Sequence, residues 1–372
     1  MHDFFKSKRV LVTGACGTVG KELTRQLLEN YGVRELIGID NNESELFFLE
    51  QEFSNSGNAR FFLGDIRDFN KLLTKFKQMD VVFHTAAYKH VILCERSPFE
   101  AVQTNILGVN NIIAAARATG VERLIFTSSD KAVNPTSVMG TSKLMGERLI
   151  TAAHSNLRDN GTIYAATRFG NVLGSRGSVI PIFREQIRKG GPVTLTDPEM
   201  TRFIMSIREA VRLVIDSAII AKGGEVFVTK MPVIKIKDLA EVMIEELAER
   251  YGHRPQDIPI EIIGFKPGEK IYEELMSHEE IRRTTELKNY FAVLPAFRSL
   301  YCSTVYKYED TISETIDQPY NSANEMPLSQ DELKTFIHRN NLLEEDIERY
   351  YTPEDRYWPN SSYEKSSNPT HR

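Results

Sequence analysis

Cysteine and long apolar runs are both scarce in this chain of 372 residues. The three cysteines, Cys16, Cys94 and Cys302, follow no metal-ligand spacing and cannot form an even disulfide framework, so we expect no metal site and a reducing compartment. No stretch approaches the ~20 apolar residues that a membrane-spanning helix needs. Residues 1–6 also lack the apolar core of a signal peptide. We therefore expect a cytoplasmic protein without a membrane segment.

Basic residues are also fewer than acidic ones. The chain has 46 Lys and Arg residues and 51 Asp and Glu residues, which give a formal net charge of −5. This balance argues against a general nucleic-acid binder but allows a local basic groove for a diphosphate. Hydrophobic residues make up 41% of the chain and charged residues 26%, which is ordinary for a globular protein with an ample core. The length suits a large α/β domain with a smaller second lobe.

A short β-rich run, Arg9–Thr13, is followed at once by a loop with Gly14, Gly17 and Gly20, and a helical pattern then runs over 21–30. Glycines between a strand and a helix let the backbone approach a pyrophosphate, which the N–H groups at the helix N-terminus then bind. This loop alone is a weak signal, since the motif is common to many functions.

The next predicted strand, 35–39, strengthens that signal because it ends at Asp40, which lies 20 positions after Gly20. At this spacing a carboxylate accepts hydrogen bonds from the adenosine ribose of a dinucleotide. Because no basic residue lies nearby to hold a 2′-phosphate, the pattern favours NAD over NADP. The alternative for Asp40 is a cap of the helix that is predicted to begin near Glu43.

Strands and helices keep alternating along the first half of the chain. Further strands are predicted at 60–63, 81–84, 123–126 and 164–169, and a long helix is predicted over 98–118. This alternation is typical of the α/β class, with a Rossmann-like, doubly wound parallel sheet and right-handed crossovers.

The segment after the strand at 123–126 carries the candidate chemistry. Ser129, Asp130 and Lys131 come where this buried strand ends, and in open α/β sheets ligands bind in the crevice beyond the carboxyl ends of the strands. A carboxyl group next to an amine suits acid/base catalysis. The alternative is a surface ion pair at the end of a strand.

Several motifs together resemble those of the extended short-chain dehydrogenases/reductases: Gly14-x-x-Gly17-x-x-Gly20, Asp65-Ile66, Ala86-Ala87, Asn105 and Lys143. More narrowly, the runs at 87–91 (Ala-Tyr-Lys-His-Val), 129–135 (Ser-Asp-Lys-Ala-Val-Asn-Pro) and 266–270 (Lys-Pro-Gly-Glu-Lys) are similar to those of the UDP-N-acetylglucosamine 4,6-dehydratases of bacterial glycan synthesis. The resemblance covers roughly residues 8–340, and the run at 129–135 is its most specific part.

The resemblance implies a reaction in which NAD oxidises C4 of the sugar, the acidified C5 proton is removed, the C6 hydroxyl leaves as water and the hydride returns to C6. Lys131 would take the C5 proton, and Asp130 would protonate the leaving hydroxyl. A neutral Lys131 requires a lowered pKa, which we expect from burial or from the neighbouring cations Lys143 and Lys89. The residues expected at the cofactor are Gly14, Gly17, Thr18, Val19, Gly20, Asp40, Asp65, Ile66, Ala86, Ala87, Asn105 and Lys143.

Met139 stands where short-chain dehydrogenases usually place a tyrosine, four residues before the lysine Lys143. A thioether cannot accept the proton of the alcohol that is oxidised, so either catalysis has been lost or another group replaces the tyrosine. The long, membrane-attached members of the dehydratase family resemble this chain in having Met at that position, which favours replacement. The candidates for the proton acceptor are Asp130, Ser129 and a bound water molecule.

The resemblance also implies a C-terminal lobe that binds a UDP-sugar. Its scaffold would include a strand over the uracil at 193–195, a strand at 224–228 and a helix over 236–251. The expected substrate contacts are Lys89, His90, Asn171, Val179, Arg202, Lys266 and Glu269. A structural role is the alternative for His90, and a position exposed on the lobe surface is the alternative for Arg202. Relatives more often carry Arg where Lys266 stands, and the change removes bidentate contact with a phosphate.

We thus predict an NAD-binding domain over 1–170 to which later segments return, a lobe that binds the UDP-sugar mainly over 171–299, a closing segment over 300–340, and a tail over 341–372 that is disordered or packs on a partner. The predicted protein is a homo-oligomeric UDP-N-acetylglucosamine 4,6-dehydratase for surface glycan synthesis, with retention at C5 favoured over inversion. The alternatives are a UDP-sugar C4 epimerase and a non-catalytic sensor of nucleotide sugars or NAD.

Overall fold

The computed structural model describes residues 2–155, 161–175, 178–264, 269–297 and 304–343. In chain order its strands are β1 (Arg9–Thr13), β2 (Glu35–Asp40), β3 (Ala59–Leu63), β4 (Val81–His84), β5 (Arg123–Ser129), β6 (Ile163–Phe169), β7 (Asn171–Val172), β8 (Val193–Leu195), β9 (Thr201–Met205), β10 (Val226–Thr229), β11 (Val233–Lys235), β12 (Ile260–Ile262), β13 (Thr284–Leu287), β14 (Tyr290–Val293) and β15 (Thr311–Ser313).

The helices of the described residues are α1 (Thr18–Glu29), α2 (Glu43–Glu52), α3 (Phe69–Phe76), α4 (Val91–Arg96), α5 (Pro98–Val102), α6 (Gly108–Thr119), α7 (Val138–Ser155), α8 (Val179–Arg188), α9 (Ile207–Ile220), α10 (Ile236–Leu247), α11 (His278–Ile281) and α12 (Gln330–Arg339). A π-helical stretch, Gln103–Leu107, joins α5 to α6, and a short 3₁₀ turn, Asp130–Ala132, follows β5. The helix predicted over 98–118 is therefore three joined segments. Within the described ranges, no helix combines the length and the apolar character that crossing a membrane requires.

One sheet of ten strands organises the molecule, in the order β15-β13-β14-β10-β6-β5-β4-β1-β2-β3. Parallel pairs join seven of these strands, in the order β10-β6-β5-β4-β1-β2-β3. Beyond β10, the strands β14, β13 and β15 continue the sheet with antiparallel pairs. The parallel part follows the order of doubly wound dinucleotide-binding sheets, which reverses direction between β1 and β4. This arrangement confirms the predicted fold class.

The apolar runs of the sequence become the buried centre of this sheet. β4 is buried at every residue, and β1 and β5 are buried along most of their length, as expected for parallel strands that are covered on both faces. Helices α7 and α9 both pack on β5 and β6, and α1 packs against α9. The carboxyl ends of β1, β4, β5 and β6 consequently meet along one edge, where the loops that carry the candidate residues lie.

A smaller lobe is built from the strand groups β7-β9-β11 and β8-β12 together with helices α8, α10 and α12. Its apolar core includes Ile180, Phe183, Leu239 and Leu333 and is separate from the core of the large sheet. The predicted domain ranges stay predictions, although one strand and two leucine residues lie elsewhere than expected.

The strand at 224–228 was expected in the lobe, yet β10 pairs with β6 and β14 in the large sheet because its buried side chains complete the main core. The tail was expected to begin at 341, yet Leu342 and Leu343 are buried in the core of the lobe. The backbone oxygen of Leu342 also accepts a hydrogen bond from Arg184 Nη2 at 2.8 Å. The rest of the predicted tail lies outside the described residues.

Candidate active site

The glycine loop between β1 and α1 is closely packed on its own backbone and on the loop that follows β4. Gly14 has a φ of +71°, and a Cβ there would lie 2.6 Å from the backbone nitrogen of Ala86. A Cβ at Gly20 would lie 2.1 Å from the backbone oxygen of Gly14. The helix begins at Thr18 rather than at the predicted residue 21, and its N-cap, Gly17, makes no side-chain capping bond. The first-turn N–H groups of α1 are thus available to an anion, so the loop fits a pyrophosphate.

Asp40 joins β2 to this loop. Its carboxylate accepts hydrogen bonds from the N–H of Cys16 at 2.9 Å and from the N–H of Asn42 at 2.9 Å. The N-cap of α2 is Asn42, whose side chain accepts from the N–H of Glu45. The alternative that Asp40 caps this helix is therefore wrong, and its contact with an adenosine ribose stays a prediction.

The other residues expected at the cofactor hold the neighbouring loops together. Asp65 forms an ion pair with Arg67 at 2.6 Å, and hydrogen bonds from Arg67 hold the pKa of Asp65 below its usual value. Asn105 is buried in the π-helical stretch, exchanges hydrogen bonds with the backbone N–H and C=O of Tyr88 at 2.9 Å each, and donates to Ser142 Oγ. The π-helical stretch thereby clamps the loop after β4. Their contacts with a cofactor stay predictions.

The predicted acid/base pair lies at the carboxyl end of β5. Ser129 ends this strand and its Oγ accepts from the N–H of Lys131 at 3.2 Å, which closes the 3₁₀ turn. Lys131 Nζ donates to Asp130 Oδ2 at 2.8 Å. Asp130 is buried, whereas the side chain of Lys131 remains 39% exposed. The pair is a hydrogen-bonded ion pair at the sheet edge where the glycine loop also lies.

The protonation of this pair differs from the prediction. Burial lowers the pKa of Lys131, but the negative charges of Asp130 and Glu273 outweigh burial and raise it above its ordinary value. Burial likewise raises the pKa of Asp130, but the charge of Lys131 and its hydrogen bond bring the net pKa below the ordinary value. The expected lowering of the Lys131 pKa by Lys143 or Lys89 is wrong, because the charges that act most strongly on Lys131 are carboxylates and Arg202.

Glu273 is a candidate functional residue that sequence reasoning missed. Its carboxylate accepts from Asn171 Nδ2 at 3.0 Å, pairs with Arg202 Nε at 3.2 Å and lies 3.8 Å from Lys131 Nζ. The carboxyl group of Asp130 faces the same Lys131 Nζ at 2.8 Å. Burial and the charge of Asp130 raise the pKa of Glu273 to about 7. In the sequence, this position is marked only by a pair of glutamates, Glu273 and Glu274, shortly after the run at 266–270.

We call Asp130, Lys131, Asn171, Arg202 and Glu273 the acid/base cluster. Arg202 also donates to the backbone oxygens of Thr201, Lys270 and Ile271 at 2.7 to 3.1 Å. Its side chain is only 13% exposed, so the alternative of an exposed lobe residue is wrong. The cluster brings two of the predicted substrate contacts, Asn171 and Arg202, beside the predicted catalytic pair.

Helix α7 supplies Lys143 and Met139. Lys143 Nζ donates to the backbone oxygen of Thr127 at 3.0 Å, and burial lowers its pKa to about 8. Met139 is 3% exposed and packs with Cys94 and Ala101 in a small apolar cluster. The side chain at the usual tyrosine position therefore serves packing.

The remaining predicted substrate contacts are spread around the cluster. Lys89 and His90 follow β4 at the same sheet edge and are exposed. Val179 begins α8, whose N-cap, Ser178, makes no side-chain capping bond. Glu269 is exposed and accepts from Thr196 Oγ1 at 3.0 Å, beside the strand expected over the uracil. The prediction for Lys266 lies outside the described residues. All these contacts stay predictions.

The sheet order, the glycine loop and the lysine on α7 define an extended short-chain dehydrogenase/reductase. Within this class the chain belongs to the polysaccharide biosynthesis protein family, whose model matches residues 10–295.

Named relatives and a solved structure support this assignment. The chain is 53% identical over 293 residues to an uncharacterized membrane protein of Methanocaldococcus jannaschii, covering 79% of this chain and 87% of that one. It is 37% identical over 295 residues to a UDP-N-acetylglucosamine 4,6-dehydratase (inverting) of Campylobacter jejuni, covering 79% and 85%. The X-ray structure of Pen from Bacillus thuringiensis is 42% identical, superposes with a TM-score of 0.84, and is matched over 92% of this chain and 100% of that one.

Other relatives differ in length or in name. A probable polysaccharide biosynthesis protein of Bacillus subtilis, EpsC, is 44% identical over 74% of this chain, but the chain spans only 46% of its length. A protein of Rickettsia bellii named UDP-glucose 4-epimerase is 35% identical over 92% of this chain and 99% of its own length. The names of the relatives thus include a dehydratase as well as an epimerase.

Proposed function

We propose that the protein is an NAD-dependent UDP-N-acetylglucosamine 4,6-dehydratase that makes a UDP-4-keto-6-deoxy sugar for surface glycan synthesis. The observation that carries the proposal is the ion pair of Asp130 and Lys131 at the carboxyl end of β5, with 2.8 Å between Nζ and Oδ2. A dehydratase needs an acid and a base side by side for elimination across C5 and C6. A C4 epimerase does not need this pair, because it eliminates no water; it needs a base for the proton of the C4 hydroxyl, which is the usual role of the tyrosine that Met139 replaces.

The glycine loop supports the choice of cofactor. Alanine-sized side chains at Gly14 and Gly20 would collide with backbone atoms, so the loop keeps open the backbone surface that a pyrophosphate uses. Bound NAD would supply the hydride acceptor for the oxidation at C4 of the sugar and the hydride donor for the reduction at C6. Asp40 would hold the adenosine ribose, and Lys143 would hydrogen bond the nicotinamide ribose. The carboxylate of Asp40 beside the loop disfavours a 2′-phosphate.

The hydrogen bond between Lys131 and Asp130 suggests how both acquire their reactive forms. The raised pKa of Lys131 and the lowered pKa of Asp130 describe an ammonium beside a carboxylate. Transfer of one proton along this hydrogen bond gives an amine and a carboxylic acid, which are the forms that the elimination needs. The Lys131 amine then takes the C5 proton, and the Asp130 acid protonates the C6 oxygen as the C6–O bond breaks. The ion pair is restored as water leaves.

Two steps of the proposed reaction have more than one candidate, namely the acceptor of the C4 hydroxyl proton and the face on which C5 is reprotonated. The proton of the C4 hydroxyl must pass to Asp130, Ser129 or a water molecule, because the buried thioether of Met139 cannot accept it. The face on which C5 regains its proton decides retention or inversion. We favour retention because the run around Met139 resembles that of retaining members. Inversion, the activity in the name of the Campylobacter jejuni relative, is the alternative.

The decisive experiment incubates the protein and NAD with UDP-N-acetylglucosamine and follows the sugar by NMR. A dehydratase converts the C6 hydroxymethyl group into a methyl group, and the coupling of H5 reports the configuration at C5. Unchanged substrate, or a product altered only at C4, contradicts the proposal. A C4 epimer alone would support the second candidate, which the Rickettsia bellii relative favours by its name. Unchanged substrate with intact binding would indicate a sensor.

A variant separates the proposed base from the cofactor site. Lys131→Ala should abolish elimination, because no other amine lies in the described acid/base cluster, while NAD affinity should stay unchanged. NMR of the product and titration with NAD measure the two properties. Full elimination by Lys131→Ala would refute the role of Lys131. The cytoplasmic location and the homo-oligomeric assembly stay predictions.

A further inference from the structure

Glu273 lies between the 3₁₀ turn Asp130–Ala132 and the smaller lobe, and both its backbone N–H and its backbone oxygen are hydrogen bonded. Its N–H donates to Ser322 Oγ at 2.9 Å, and its backbone oxygen accepts from the N–H of Ser322 at 2.9 Å. Ser322 is itself fully buried and shares a hydrogen bond with Thr201 Oγ1 at 2.9 Å. The carboxyl group therefore has a defined position, and only 6% of the residue is exposed.

This carboxyl group contacts residues of the substrate-binding part and of the catalytic part of the proposed site. On the lobe side it accepts from Asn171 at 3.0 Å and pairs with Arg202 at 3.2 Å, the two residues expected to contact the nucleotide and its phosphates. On the catalytic side it lies 3.8 Å from Lys131 Nζ, the atom that also donates to Asp130 Oδ2 at 2.8 Å. Lys270 and Glu274, on the same segment, pair with each other at 3.4 Å.

Asp130 and Glu273 are two buried carboxyl groups that face the same ammonium, Lys131 Nζ, and the negative charge of each disfavours the ionisation of the other. Burial and the charge of Asp130 raise the pKa of Glu273 to about 7, against the opposite effects of Arg202 and Lys131, whereas the net pKa of Asp130 is lowered. Of the two carboxyl groups, Glu273 is therefore the one that takes up a proton near neutral pH. Because the pKa lies near neutrality and Arg202 is one of the groups that lower it, a change at Arg202 alters the proton occupancy of Glu273.

We propose that Glu273 is a positioning residue that couples the binding of a nucleoside diphosphate to proton uptake. When the diphosphate engages Arg202 and Asn171, Glu273 takes a proton from solvent and holds it beside Lys131 and Asp130. This inference rests on the proposed function, because it places the diphosphate at these two residues. The negative charges of the ligand neutralise Arg202 and repel a carboxylate at 273, and both effects favour the protonated form. Substrate binding thus increases the fraction of the protein that holds a proton beside the proposed acid.

Isothermal titration calorimetry tests this coupling directly. UDP is titrated into the NAD-saturated protein at pH 7.5 in buffers of different ionisation enthalpy, where the terminal phosphate of UDP, with a pKa of about 6, is almost fully ionised. Neutralising a facing cation moves a carboxyl pKa by about one to three pH units, so we expect an uptake of roughly half a proton or more per UDP. Glu273→Gln should bind UDP without this uptake. Glu274→Gln, the neighbouring carboxylate, should retain it.

A second variant keeps the inference testable if Glu273→Gln fails to fold or to bind. Asp130→Asn removes the negative charge that raises the pKa of Glu273, so the pH of maximal uptake should move downward. Uptake by Glu273→Gln equal to that of the wild type, or a pH of maximal uptake unmoved by Asp130→Asn, overturns the inference. Failure of the unmodified protein to bind UDP at all contradicts the proposed function instead.

Discussion

Gly140 is the position at which helix α7 packs against the turn that carries Asp130 and Lys131, and alanine at this position tests how far catalysis depends on that packing. A Cβ at 140 would lie 2.3 Å from the backbone oxygen of Lys131 and 3.1 Å from Pro135 Cβ. An ordinary contact of this kind begins near 3.4 Å. The turn or the helix must therefore move by roughly 1 Å, the difference between the two distances.

Two effects of opposite sign act on the stability of Gly140→Ala. Alanine favours the helix over glycine by up to about 1 kcal/mol. Overpacking against a fixed backbone atom costs about 1–3 kcal/mol. We expect the collision to prevail and to leave a net loss of roughly 1 kcal/mol, the difference of these ranges. The effect on rate should be much larger, because a misplacement of about 1 Å at a catalytic group costs on the order of 100-fold.

The assay compares the dehydration rate and the free energy of unfolding in urea for Gly140→Ala and for Thr141→Ala. Thr141 is the next residue on the same helix and is exposed, so its truncation should change neither quantity appreciably. A Gly140→Ala protein with the wild-type rate would show that the turn can yield without moving the acid/base pair. In that case the packing of α7 would not position the site.

Further variants test the other parts of the structure. Gly20→Ala should weaken NAD binding by more than about tenfold in a titration, because its Cβ would lie 2.1 Å from the backbone oxygen of Gly14. Met139→Leu should keep the dehydration rate within a few-fold, since a volume-conserving change in an apolar cluster costs less than about 1.5 kcal/mol; a complete loss of rate would give Met139 a chemical role. Glu280→Ala should destabilise the fold by about 3–5 kcal/mol in urea, because it removes a carboxylate from the fully buried Arg168. Burial raises the pKa of Glu280 but Arg168 lowers it to about 2, so the stability from this ion pair should be full above pH 4.5 and should decline as the pH falls from 4.5 towards 2. Glu280→Gln should lack this decline.

Much of the fold follows from local sequence patterns. The apolar strand runs, the glycine loop and the spacing from Gly20 to Asp40 each depend on a few neighbouring residues, and the parallel sheet follows from their alternation with helices. The predictions failed where the structure of a segment depends on residues that are far away in the sequence. The strand predicted at 224–228 belongs to the large sheet because its backbone pairs with that of β6. The helix predicted over 98–118 is interrupted by a π-helical stretch that lets Asn105 reach Tyr88.

Part of the site was predictable for the same reason. Asp130 and Lys131 are adjacent in the chain, so their pairing required no knowledge of the fold. Glu273 could not be found in this way, because 143 positions separate it from Asp130 and only the packing of the lobe on the sheet brings their carboxyl groups together.

The sequence by itself determined which groups are available for catalysis and that a strand end presents them at the edge of a parallel sheet. The tertiary structure alone decided their protonation, because a pKa responds to burial and to charges within a few ångströms whatever their place in the chain. Lys131 is an ammonium rather than an amine since Asp130 and Glu273 face it, and Glu273 titrates near neutrality since it is buried beside Asp130.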